Sequence, residues 1–152
     1  VKREDYPDLQ HVLICEGDAQ GNPTIDVWIG EAPDALKAAD LDREESAVIL
    51  YTSGTTGFPK GATLSHGNVV SNSWTAAHHA GFTAQDRMSL FLPLFHVFGQ
   101  NFIMNGTFNI CSTLILYRRF IPDEVLKSFE KNRVIMFFAV PTIFINLLNI
   151  DL

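Results

Sequence analysis

Short apolar runs alternate with polar and turn-forming stretches along the chain, and their spacing predicts an ordered series of elements. Residues 10–15, Gln-His-Val-Leu-Ile-Cys, read as a short buried strand, followed by turn residues Gly17, Asp18, Gly21, Asn22 and Pro23. Residues 25–29 read as a second, weaker strand, residues 35–39 as a short helix, and residues 40–45 as an acidic connector. The run Ala47-Val48-Ile49-Leu50-Tyr51 predicts a buried strand. A loop from 52 to 61 follows it, and residues 62–65 are again extended. Ser65 or Asn68 can cap a helix reaching about His79, with Val70, Trp74 and Ala77 spaced for one buried face.

Beyond residue 80 the pattern becomes regular. A strand over 87–92 ends at Pro93, a helix diluted by Asn and Gly covers 99–108, and residues 112–117 are β-rich. Pro122-Asp123-Glu124 opens a helix to about Lys131, because proline and acids suit a first helical turn. A strand over 134–140 and a helix over 141–148 complete the series. Strand, helix, strand, helix, strand, helix is the order that parallel strands with crossover helices require. The expected fold class is therefore α/β: a partial layered subdomain with largely parallel strands and a loop held between two strands. Both ends look cut, since an apolar helix runs directly to Leu152.

Composition narrows the function classes. An apolar share of 47% argues against disorder. A formal charge of -6 with no basic run disfavours nucleic acid and anionic lipid as partners. The apolar stretch 134–150 falls short of the roughly 20 residues a bilayer core needs. It is also interrupted by Pro141, Asn146 and Asn149, so no transmembrane segment is expected. Cys15 and Cys111 show no metal-ligand spacing, the N-terminus has no signal-peptide pattern, and the whole reads as cytoplasmic.

The segment carrying chemistry is Tyr51-Thr52-Ser53-Gly54-Thr55-Thr56-Gly57-Phe58-Pro59-Lys60-Gly61. Its glycines permit close backbone approach to a ligand, its hydroxyls and N–H groups bond anionic oxygens, and Lys60 neutralises charge. That combination suits a polyphosphate. The spacing differs from a Walker A loop: no Ser or Thr follows Lys60, and an extended segment follows instead of a helix. A Gly/Thr surface turn is the competing explanation, but the order of residues over eleven positions outweighs it.

Tyr51 to Gly61 resembles the signature phosphate loop of the AMP-forming superfamily, which comprises acyl-CoA synthetases, adenylation domains and luciferases. Leu92-Pro93-Leu94-Phe95-His96-Val97-Phe98-Gly99 is similar to its next motif, and the stretch from Arg119-Phe120 to Val140-Pro141-Thr142 resembles long-chain fatty acyl-CoA ligases. The likeness covers 42–152, with 1–41 as the variable upstream part of the same AMP-binding domain. It implies a two-step reaction in which a carboxylate and ATP give acyl-AMP and pyrophosphate, and CoA then takes the acyl group. The implied cofactors and partners are ATP, Mg²⁺, CoA and a fatty acid or related carboxylate. By this resemblance Ser53, Gly54, Thr55, Thr56, Gly57 and Lys60 bind phosphate, and Thr52 contributes to phosphate binding and to the Mg²⁺ environment. His96 is placed beside the acyl carboxylate as the catalytic-site histidine.

Competing roles remain for several residues. For His96 the competing role is a packed histidine among Phe95 and Phe98, over which the resemblance favours the functional one. His66, His78 and His79 read as surface or helix-end residues, because adjacent helical side chains diverge. Phe91, Phe95, Phe98, Phe102 and Phe108 suit either an acyl tunnel or an ordinary core, and core is expected for most of them. The family's adenine-binding segment, acidic Mg²⁺ ligand, ribose-binding aspartate, hinge and C-terminal lysine are implied to lie beyond Leu152. The chain alone is thus expected to lack turnover and to self-associate through cut apolar surfaces. The alternatives are an aryl- or amino-acid-activating adenylation domain and a non-catalytic nucleotide-binding or interaction module.

Overall fold

The structure is a computed structural model that describes residues 5–17, 21–33, 35–52 and 57–150. Two compact units divide the chain, Val1–Asp40 and Leu41–Leu152. In the first, helix α1 spans Ile25–Gly30, where the residue pattern predicts a strand. The side chain of Thr24 accepts from the Val27 N–H, and Asp26 lies in the first turn near the positive helix end. These local signals outweigh the β-branched run. Residues 10–15 likewise make no strand but one isolated bridge, Ile14 with Thr24. Residues 35–39 form no helix; their few residues cannot repay helix nucleation without a packed face.

The second unit begins with a hairpin. Strand β1 (Ser46–Thr52) pairs antiparallel with β2 (Lys60–Ser65). Helix α2 (His66–His79) starts immediately, because Ser65 and Asn68 form a reciprocal capping box: the Asn68 N–H donates to Ser65 Oγ and the Ser65 N–H to Asn68 Oδ1. The expected buried face of α2 is corrected. Gly67, Ser73, Ala76 and Ala77 are buried, whereas Val70 and Trp74 are more than half exposed. Small side chains let neighbouring backbone approach closely, and the large ones are left outside.

Strand β3 (Arg87–Leu90) is central in a three-stranded parallel sheet, flanked by β4 (Thr113–Leu116) and β5 (Met136–Phe137). Met88, Ser89 and Leu90 are fully buried, as expected for a central strand covered on both faces. Each expected strand here is shorter than its apolar run, and β5 keeps two residues of seven. Helices α4 (Pro122–Asn132) and α5 (Pro141–Leu148) lie where the sequence places them, each with proline in its first turn.

Between β3 and β4 the expected single helix has two windings. Phe98–Asn105 is π-helical and continues into the short α-helix α3 (Gly106–Asn109). The core joins Ala77, Phe82 and Met88 with Phe102, Ile110, Leu114, Met136 and Phe138 packed against them. Of the five phenylalanines with two candidate roles, Phe91 is buried and Phe102 packs on the core, while Phe95 and Phe108 are exposed at 83% and 61%. Burying a side chain such as Met88 contributes about 1.5–3 kcal/mol. No helix among the described residues is long and apolar enough to cross a membrane.

Candidate functional site

The hairpin frames the proposed phosphate loop. Thr52, the last residue of β1, stands opposite Lys60, the first of β2. The Thr52 hydroxyl donates to the Lys60 carbonyl at 3.4 Å, closing the ladder at the mouth of the loop. Gly57 has φ of +83°, a conformation L side chains rarely adopt, so glycine is required for the turn back towards β2. Ser53, Gly54, Thr55 and Thr56 lie outside the described residues. Lys60 is exposed and available to an anion in solvent.

His96 occupies a separate element, the turn between β3 and the π-helical segment. Its backbone N–H donates to the Pro93 carbonyl at 3.1 Å, and its own carbonyl accepts from the Gln100 N–H at 3.1 Å. The Phe98 N–H donates to His96 Nδ1 at 3.2 Å. An accepting Nδ1 leaves the ring proton on Nε2, which makes that atom a hydrogen-bond donor. His96 is exposed rather than packed, so the core-histidine alternative does not hold. It lines a cavity of about 490 Å³ with Leu92, Phe95, Phe98, Val140 and Pro141. The wall is apolar and aromatic apart from the imidazole, the combination expected of a site that seats an apolar ligand with one polar contact.

The hairpin and the histidine are tied through α2. This helix continues directly from β2 and packs against the π-helical segment that follows His96. A polar chain crosses that contact. Asn101 Nδ2 donates to Asn72 Oδ1 at 2.7 Å, and Asn105 Nδ2 donates to Asn101 Oδ1 at 2.9 Å. Nothing in the linear pattern marks these asparagines. The contribution of Ala139, Val140 and Pro141 to the histidine cavity is also new. A strand ending in Val-Pro was visible, and the carboxyl ends of parallel strands converge where ligands bind.

Among the described residues no group of three His, Cys, Asp or Glu side chains is placed to hold a metal ion. His78 instead stacks on Trp74 with ring centroids 3.8 Å apart, its Nδ1 2.8 Å from the Trp74 carbonyl. A hydroxyl such as that of Thr52 is a hard oxygen donor that keeps its lone pairs while donating to Lys60. It therefore fits a magnesium ion carried mainly by phosphates and water. Cys15 and Cys111 are exposed free thiols.

Among curated proteins, a long-chain-fatty-acid–CoA ligase of Bacillus subtilis (strain 168) is 34% identical over 122 residues, covering 78% of this chain and 22% of that protein. Among solved structures, ATP-bound MatB from Rhodopseudomonas palustris superposes with a TM-score of 0.76 at 35% identity, over 86% of this chain and 25% of MatB. The O-succinylbenzoate coenzyme A synthetase MenE from Bacillus subtilis, in complex with ATP and magnesium ion, gives a TM-score of 0.73 at 33% identity, over 82% of this chain and 26% of MenE. The chain thus spans about a quarter of the length of these relatives. The family described as AMP-binding enzyme matches residues 2–152. This chain belongs to the AMP-binding enzyme family, the adenylate-forming CoA ligases and their relatives.

Proposed function

We propose that this chain is the phosphate-loop and acyl-site part, residues 42–152, of an ATP-dependent acid–thiol ligase acting on a fatty acid, with residues 1–41 as its upstream part. The observation that carries the reading is the closed hairpin mouth, Thr52 against Lys60, holding a Ser/Thr/Gly loop beside an exposed lysine.

In the first step a carboxylate oxygen forms a bond to the α-phosphorus of ATP, and the bond to the bridging oxygen of pyrophosphate breaks. Charge accumulates on the departing pyrophosphate. The N–H groups and hydroxyls that the sequence supplies over residues 52–57, together with the Lys60 ammonium, bond and neutralise that charge, which is how such a loop accelerates transfer. Thr52 is the protein oxygen that would contribute to holding a magnesium ion, which when bound would supply Lewis-acid neutralisation of the pyrophosphate charge. In the second step the CoA sulfur bonds to the acyl carbon and AMP leaves. His96 Nε2 donates to a carboxylate oxygen and orients it, while Phe95 and Phe98 cover the aliphatic stem.

The fatty-acid reading is supported by the apolar cavity wall and by the likeness to a long-chain ligase. The aromatic share of that wall equally suits an aryl acid, which is the second reading. Exposed free thiols fit a reducing, cytoplasmic setting for the parent enzyme. The chain by itself, a quarter of a relative's length, is expected to bind nucleotide without completing turnover. Calorimetric titration of MgATP into the chain and its Lys60→Ala variant tests this. Saturable binding that weakens about tenfold on substitution supports the site. Equal binding by both proteins sinks the role given to Lys60, and acyl-CoA formation by the pure chain sinks the expectation of no turnover.

A further inference from the structure

A second cavity, of about 750 Å³, shares Leu92, Pro93 and Phe95 with the cavity of His96. Its remaining wall includes Phe91, Leu116 and Phe120, and Arg118 and Arg119 also line it. The position follows from the topology. Strands β3 and β4 run parallel, and the ladder extends one step past them where the Tyr117 N–H donates to the Leu90 carbonyl at 2.9 Å. The cavity therefore opens at the carboxyl ends of two adjacent parallel strands, where open α/β sheets bind ligands.

Part of its wall is fixed by packing. The Phe91 and Phe120 rings meet with centroids 4.9 Å apart, and Phe91 is buried. The Tyr117 hydroxyl is engaged with Ser128 Oγ at 2.7 Å, so that end of the tyrosine is anchored to α4. Arg118 has a partner of its own, and Arg119 supplies the guanidinium for a ligand. This guanidinium is exposed on a cavity whose other lining includes Phe91, Leu92, Leu116 and Phe120. Apolar side chains and a fork of N–H donors lining one cavity together select a particular chemistry: an aliphatic stem that carries an anion.

We infer that the Arg119 cavity is a binding site for an anionic group carried on an aliphatic stem, adjoining the acyl site through Leu92, Pro93 and Phe95. Under the ligase reading, on which only the naming of sources rests, two molecules have this chemistry. One is the carboxylate of an aliphatic acid, and the other is a phosphate on the pantetheine arm of the thiol.

The test uses this chain in calorimetric titrations with two matched pairs of probes: decanoate against decan-1-ol, and 4′-phosphopantetheine against pantetheine. One anionic member is expected to bind saturably and about tenfold more tightly than its neutral partner, and the pair showing this identifies the source. Arg119→Gln should remove the difference. Lys131→Gln, an equal loss of charge at the far end of α4, should preserve it. Unchanged circular dichroism checks that the variants remain folded. Absence of saturable binding by all four probes, equal binding within both pairs, or a difference that survives Arg119→Gln overturns the inference. MgATP titration of the unmodified chain separates this from the ligase reading. Failure there with Arg119-dependent anion binding intact removes the ligase reading alone, and the converse removes this site alone.

Discussion

Thr52 and Lys60 face each other across the last rung of the β1–β2 ladder, and the threonine hydroxyl donates to the lysine carbonyl. Backbone and side chain thus close the hairpin at one point, leaving the lysine ammonium free for a ligand. A Thr52→Val variant keeps the strand-favouring shape but loses the hydroxyl. It is expected to unfold within about 0.5 kcal/mol of the parent chain, as exposed substitutions usually do. Its affinity for MgATP should fall severalfold while affinity for ATP with excess chelator changes less. Parallel titrations with and without magnesium check the difference, and equal losses would remove Thr52 from the metal environment.

Gly99 holds the segment shared by both cavities. An added Cβ would lie 2.9 Å from the Pro93 carbonyl oxygen and 3.1 Å from that of Leu92. Those contacts are to backbone, so no side chain can swing aside. Gly99→Ala should cost about 1–3 kcal/mol by overpacking, read from urea unfolding. A stability equal to that of the original chain would show that the Leu92–Pro93 turn yields.

The asparagine chain across α2 offers a third test. Asn101 is 3% exposed and has partners on both sides. Replacing it by leucine removes both bonds and leaves the half-buried Asn105 short of one partner, while the exposed Asn72 can turn to water, at about 1 kcal/mol. The substitution is expected to lower the unfolding midpoint in urea without altering the slope. A stabilised variant would mean the network is dispensable packing.

His96 is exposed, so its removal should spare the fold while damaging function. In the complete enzyme His96→Ala is expected to lower kcat/KM for adenylate formation by about 10–100-fold, the loss of one oriented polar contact. Pyrophosphate exchange kinetics measure it. Unchanged exchange would return His96 to a purely structural role.

Parts of this molecule were legible because their causes are local. The Ser65 cap of α2, the prolines opening α4 and α5, and the two strands flanking the loop depend on residues a few positions apart, and each lies where the sequence places it. Expectations failed where an element needs a distant partner. Residues 25–29 have the composition of a strand but meet no ladder, and the Thr24 cap makes them helical. The run at 134–140 pairs with β3 over two residues only, because Ser89 and Met88 are the positions that face it.

The sequence by itself made a polyphosphate the expected ligand, since three glycines, four hydroxyls and one lysine in a fixed order supply donors and a cation suited to one. It also determined the parallel α/β series, because strand and helix periods alternate at crossover spacing. Tertiary structure alone decided the π winding over Phe98–Asn105, the asparagine chain beneath it and the two cavities divided by Leu92, Pro93 and Phe95. Those features arise from close packing of segments tens of residues apart. Their energies belong to neighbours in space, which a linear pattern of apolar and polar residues does not record.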